Sequence, residues 1–304
     1  MFLSDFIQPM GLGSGGNHMP FFMMVDTLIN QRFPFLSVFL NTLLILIQAL
    51  YLNSVLGKNE MFTKKSNFIL LFYPLIVAAL SQYGMLTPAS FVNLILIAIF
   101  SKILALYKNS NPLPLVFDAG LLSAIASLFF LPAIFVAIFI FISLFVLRPI
   151  SWREWVVALM GFAVPYIIVS LYYFWNDGFM HFWGYILDAN IKAGFKSIGV
   201  MNNLTIAIFC LISLLIILSI NRIRVNYYKT IVRVRNYIQA VFILLFVACV
   251  SAYMSNDKID ISLQILTVPF AIIGSFFFIH AKRLFFPEFL LLTLIVLVVV
   301  NRYL

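Results

Sequence analysis

Charge is what this chain of 304 residues has least of, with only 10% of its residues being Asp, Glu, Lys or Arg. A soluble domain draws about a quarter of its residues from those types, so a water-facing globule is excluded. Cysteine is nearly absent. Cys210 and Cys249 both lie inside apolar runs, so neither a disulfide scaffold nor a metal site is expected. The three histidines, His18, His181 and His280, are too few for a four-histidine iron centre. No ionisable residue falls near the middle of a long apolar run; the polar residues there are Asn41, Gln48, Gln82, Asn93, Gln264 and hydroxyls. Ion-coupled transporters carry buried acids or bases at that depth, and no interrupted pair of segments repeats between the two halves. Transport is therefore the third-ranked function. The start of the chain has neither the basic residues nor the apolar core of a signal peptide. Its glycine-rich turn, Gly11 to Gly16, lacks the strand and helix context of a phosphate-binding loop.

What the chain does have is hydrophobicity, at 64% of residues and a mean hydropathy of +1.10. That composition specifies an all-α polytopic membrane protein with the lipid bilayer as its first partner. The net charge of +9 sits in short clusters between apolar runs, as in cytoplasmic loops, which excludes nucleic acid as a partner. No cofactor is expected. Residues 1–34 read as an external or interfacial segment, with Met19–Asn30 lying amphipathically at the membrane surface. Residues 35–304 read as a single transmembrane bundle with an external loop at 176–203.

About ten apolar segments are expected: 35–56, 67–83, 88–107, 115–131, 132–147, 154–175, 203–220, 236–254, 260–279 and 287–301. The stretch from Leu115 to Leu147 decides the topology. It holds 33 residues with one charge, Asp118. That is too long for one span of about 20 residues and short for two, and Pro132 interrupts it near the middle. If it folds back as a short helical hairpin, fourteen Lys and Arg residues fall on one side of the membrane and five on the other. If it is one kinked span, the split is nine against ten. Basic residues concentrate on the cytoplasmic side, so the hairpin is expected, with both termini outside.

Three stretches could carry chemistry. The loop from Asn176 to Asn203 interleaves His181, Asp188 and Lys192 with aromatic residues that include Trp183. On a helix His181, Asp188 and Lys192 share a face. The loop is then either an interfacial helix with aromatic anchors or one wall of a site for a headgroup or sugar. Asp118 reads as a helix cap in a first turn, facing a cytoplasmic corner made by Arg148, Arg153 and Glu154. The run from Arg222 to Arg235 is an orientation signal that would also attract anionic lipid heads or phosphates.

The words Phe117-Asp118-Ala119-Gly120, Arg148-Pro149 and Trp152-Arg153-Glu154-Trp155 resemble those of an uncharacterised bacterial family of multi-pass membrane proteins. That family is sometimes labelled beta-carotene monooxygenase, a label the histidine count argues against. The order of a cytoplasmic start, a short helical pair, a basic corner, Pro165-Tyr166 and Gly178-Phe179 is similar to the middle of the C-type membrane glycosyltransferase fold. That resemblance implies a multi-pass protein of the bacterial cytoplasmic (inner) membrane, in the cell envelope, that transfers a sugar from a polyprenyl-phosphate carrier on the external face. It further implies an external acid as general base. Asp26 is the better placed of Asp5 and Asp26, with His181, Asp188, Lys192 and Trp183 around the donor. The other reading is a non-catalytic scaffold or accessory subunit with a membrane protein partner.

Overall fold

The computed structural model describes residues 19–62, 66–81, 84–107, 109–149, 151–177, 179–180, 183–184, 186, 203–255, 259–279 and 285–303. Among these the secondary structure is helical, with no strand. The order is α1 (Pro20–Val25), running directly into a π-turn (Asp26–Asn30), then α2 (Pro34–Lys58), α3 (Phe68–Leu80), α4 (Pro88–Ala105) and α5 (Leu113–Phe129). A 3-10 turn (Leu131–Phe135) leads to α6 (Val136–Leu147), followed by α7 (Trp152–Trp175), α8 (Asn203–Asn226) and α9 (Val232–Tyr253). The chain ends with α10 (Ile259–Leu263), a 3-10 turn (Gln264–Leu266), α11 (Thr267–Ile279) and α12 (Phe285–Tyr303).

Six of these helical stretches are long and apolar enough to cross a membrane: Pro34–Lys58, Pro88–Ala105, Trp152–Trp175, Leu204–Val225, Val232–Tyr253 and Ile261–Ile279. Shorter apolar helices occupy Phe68–Leu80, Leu113–Phe129, Leu131–Leu147 and Pro287–Asn301. The chain is thus a multi-pass helical protein whose apolar surface suits a lipid bilayer. α4 and the Ile261–Ile279 stretch form the centre: 61% and 83% of their apolar windows are buried, against 22% for α7. The apolar residues α7 leaves exposed, among them Leu159, Met160, Ile168 and Leu171, form a surface that hydrocarbon can cover.

α7 packs on α5 through small residues. A Cβ on Gly120 would lie 2.3 Å from the Ala158 carbonyl oxygen, and one on Gly161 would lie 2.4 Å from that of Phe117. The two backbones touch because both glycines lack a side chain, the contact by which helices associate where lipid supplies no hydrophobic drive. Gly120 of the Phe117–Gly120 word is therefore a packing residue.

The stretch between Leu113 and Leu147 goes out and back. Phe130 adopts an extended conformation and breaks the helix, and Pro132 sits at the first turn of the 3-10 segment that follows. At the far end, Arg148 donates from Nη1 to the carbonyls of Leu106 (3.0 Å) and Asn109 (2.8 Å), which precede α5. The residue after α6 thus returns to the level where α5 began. Each limb is 17 residues, about 25 Å for a straight α-helix, and the 3-10 turn lengthens the second to about 28 Å.

All four tryptophans belong to α7 or the residues just after it. Trp152 and Trp155 start the helix, and Trp175 ends it, 88% exposed. The ends are about 34 Å apart along the axis, the spacing of two aromatic belts at the edges of a bilayer.

Candidate functional site

The site is built around the π-turn that carries Asp26. Its wide turn brings Asn30 back under the acid, four residues on. Asn30 Nδ2 donates to Asp26 Oδ1 at 2.9 Å, and Gln31 Nε2 donates to Oδ2 at 3.0 Å, so both carboxylate oxygens have an amide partner. Asn30 is 6% exposed and also donates to the Leu86 carbonyl at 3.2 Å, while its Oδ1 accepts from Ser37 Oγ. Ser37 Oγ in turn accepts from the Leu86 N–H at 3.0 Å.

From there a buried polar network runs inward along α2. Ser37, Asn41 and Gln48 share one face of that helix, spread over about 16 Å of its axis. Asn41 Nδ2 donates to the Gly84 carbonyl at 2.8 Å, and its Oδ1 accepts from Ser90 Oγ at 3.0 Å. Gln48 Nε2 donates to the Ser90 carbonyl at 2.6 Å, and its Oε1 accepts from Tyr73 at 2.7 Å. Thr87 caps α4 by accepting from the Ser90 N–H and donates to Gln264 Oε1. Asn93 Nδ2 donates to the Gln264 carbonyl (2.9 Å) and to Thr267 Oγ1 (3.0 Å), closing the gap in the helix between α10 and α11.

The physical reason for the network is the backbone it holds. Residues 84–87 are buried but not helical, so their polar groups need partners from elsewhere. Amides and hydroxyls of α2, α4 and the π-turn supply them. Past Asp26 the described members are neutral, which suits a rigid joint rather than a relay of protons. One acceptor stays open: Asn93 Oδ1 is buried without a hydrogen-bond partner.

Trp183 stacks on Tyr166 at 6.5 Å between ring centroids, and Tyr166 shares a 2.7 Å hydrogen bond with Ser127. Trp183, Tyr166 and Tyr173 pack with Phe21 around a buried cluster of Met19, Leu128, Leu131, Val169 and Ile186. The described part of the loop thus meets the N-terminal segment through apolar side chains. His181, Asp188 and Lys192 lie outside the described residues, and with them the distance from Asp26 to Lys192. Residues 179–180, 183–184 and 186 are helical.

At the opposite end the cap expected of Asp118 gives way to an ion pair. Asp118 is the sixth residue of α5, beyond its first turn, and binds Lys102 Nζ at 2.6 Å. A lysine in the last turn of α4 faces it across the α4–α5 connection, a closer partner than backbone N–H groups already bonded within the helix. Arg148 Nε lies 3.2 Å from Glu154 Oε1, with Glu154 only 6% exposed. Arg153 stands apart, exposed, its guanidinium 6.0 Å from the Trp152 ring. The corner is therefore two separate pairs plus a surface arginine.

Sequence reasoning passed over Lys102, Asn30, Ser37 and Thr87. The spacing of Ser37, Asn41 and Gln48 was the available signal, since three polar residues on one face of an apolar helix need a common partner. Among the described residues no three of His, Cys, Asp and Glu come together as a group that could hold a metal ion. No known protein family, curated protein or solved structure matches the chain.

Proposed function

We propose that this protein is a non-catalytic scaffold or accessory subunit of a membrane complex in the bacterial cytoplasmic membrane, its basic end toward the cytoplasm. One observation carries the reading: both oxygens of Asp26 are held by Asn30 and Gln31, and Asn30 is itself spent on Leu86 and Ser37. A general base is held so that it faces its substrate, and a carboxylate oxygen that accepts one amide keeps a second lone pair for that task. Here the acid instead fixes the amide that docks the N-terminal segment onto the bundle. The apolar packing between that segment and Trp183 supports the same reading.

A second reading, sugar transfer from a polyprenyl-phosphate carrier with Asp26 as base, draws on the π-turn itself, since such turns are frequent at functional sites. Stability separates the two. If Asp26 is structural, Asp26→Ala strands a buried amide and lowers unfolding stability in detergent by about 1–3 kcal/mol. A catalytic acid, whose placement is bought with stability, gives an unchanged or higher melting temperature when removed. A subunit also migrates, after mild solubilisation from its native membrane, as an assembly larger than one chain with its lipid. Migration as a lone chain contradicts the scaffold.

A further inference from the structure

The end of α8 and the start of α9, which flank their connecting turn, carry four arginines: Arg222 and Arg224 on α8, Arg233 and Arg235 on α9. Arg233 is used by the fold. Its Nη2 donates to the Asn59 carbonyl past the end of α2 at 3.0 Å, and its guanidinium lies 5.6 Å from the Tyr237 ring. Arg235 is different. Its guanidinium lies 6.0 Å from the Tyr227 ring, and that ring is fixed because the Tyr227 hydroxyl accepts from Gln239 Nε2 at 2.9 Å. Yet Arg235 Nε is shielded from solvent and has no hydrogen-bond acceptor. Arg148 Nε is also without a formal hydrogen bond, but it faces Glu154 at 3.2 Å; among the described residues no carboxylate pairs with Arg235. Among the described residues the ion pairs are Lys102–Asp118 and Arg148–Glu154 alone.

A buried guanidinium N–H without an acceptor is costly, and the charge behind it makes it more so. This donor lies over the ring of Tyr227, which directly follows the last turns of α8 and their two arginines, and among the described residues no carboxylate pairs with it. We propose that the α8–α9 turn is a binding site for a phosphate group, with Arg235 as its anchor and Arg222 and Arg224 adding charge. The planar guanidinium fork matches a phosphate through two parallel N–H bonds, and stacking on Tyr227 sets its plane in advance. The phosphate belongs either to an anionic phospholipid of the surrounding leaflet or to a free phosphate-bearing solute. The chemistry of recognition is the same, and the site stands whether or not the scaffold reading does.

The test uses the full chain purified in detergent and exposed to an equal mixture of phosphatidylglycerol and phosphatidylcholine. Bound lipid is counted by native mass spectrometry, and melting is followed with and without inorganic phosphate. The wild type retains phosphatidylglycerol in preference, Arg235→Gln retains about fivefold less, the loss expected for one basic residue near the lipid surface, and Arg153→Gln matches the wild type. If the source is lipid, millimolar phosphate leaves that retention unchanged. If it is a free solute, phosphate raises the melting temperature of the wild type but not of Arg235→Gln. Equal losses in the Arg235 and Arg153 variants overturn the proposal, as does a wild type that binds neither probe. Arg235→Lys keeps the charge without the fork and covers the case of a misfolded glutamine variant. Undiminished preference in the lysine protein also overturns the anchor.

Discussion

Removing the Arg148 side chain should cost more than any other single truncation at the basic end. It takes away the donor to Leu106 and Asn109 and leaves Glu154, 6% exposed, as an unpaired buried acid. Breaking a buried pair from one side costs about 3–5 kcal/mol. Arg148→Ala should therefore lower stability by about 3 kcal/mol in detergent unfolding, and adding Glu154→Gln should recover part of it. The Lys102–Asp118 pair is more exposed, at 36% and 46% of its side chains, and its loss should pass almost unnoticed. The sequence placed Arg148 and Glu154 in one corner because they are six residues apart. It could not assign Asp118, because Lys102 lies sixteen residues away and meets it only once α4 and α5 have turned on each other. Asn30 was hidden for a similar reason: besides Asp26 and Ser37 it binds a distant backbone carbonyl, Leu86 O, which leaves no mark on composition.

Among the elements, the α5–α7 crossing is the contact most sensitive to size. Gly161→Ala would drive a methyl into the Phe117 carbonyl, and the helices must separate to admit it. The expected loss is about 1–3 kcal/mol, the range for overpacking. Gly57→Ala is the control. Nothing lies within 4 Å of its added methyl, so the change should be neutral or stabilise by up to about 1 kcal/mol through helix propensity. Thermal unfolding of the two variants side by side checks both signs. The long apolar helices were legible because hydropathy and length suffice to see them. Breaks inside apolar runs were less so. Pro132 announced the break at Phe130, whereas the 3-10 turn at Gln264–Leu266 has no proline within it and is held by Asn93, more than 170 residues earlier. Such breaks depend on a partner helix and not on local sequence.

Taken whole, the molecule has two unlike ends. One gathers Arg148 and Arg233 against the carbonyls that follow α4 and α2, holds the Lys102–Asp118 pair, and carries the remaining arginines that flank the α8–α9 turn. The other gathers the π-turn, the buried 84–87 connection and the tip of the α5–α6 hairpin, where Phe129 meets Phe21 and Ser251 binds the Pro132 carbonyl. The expected topology sets these ends on opposite sides of one membrane, with the hairpin returning to the side it left. The most direct test is sided labelling of single cysteines in intact cells, after Cys210 and Cys249, both exposed on the apolar surface, are replaced by alanine. Cysteines at Asn109, Ser151 and Val225 should react only when reagent reaches the cytoplasm, and cysteines at Met24 and Asn176 should react from outside. Labelling of Asn109 and Ser151 from opposite sides would contradict the hairpin and, with it, the placement of every later helix.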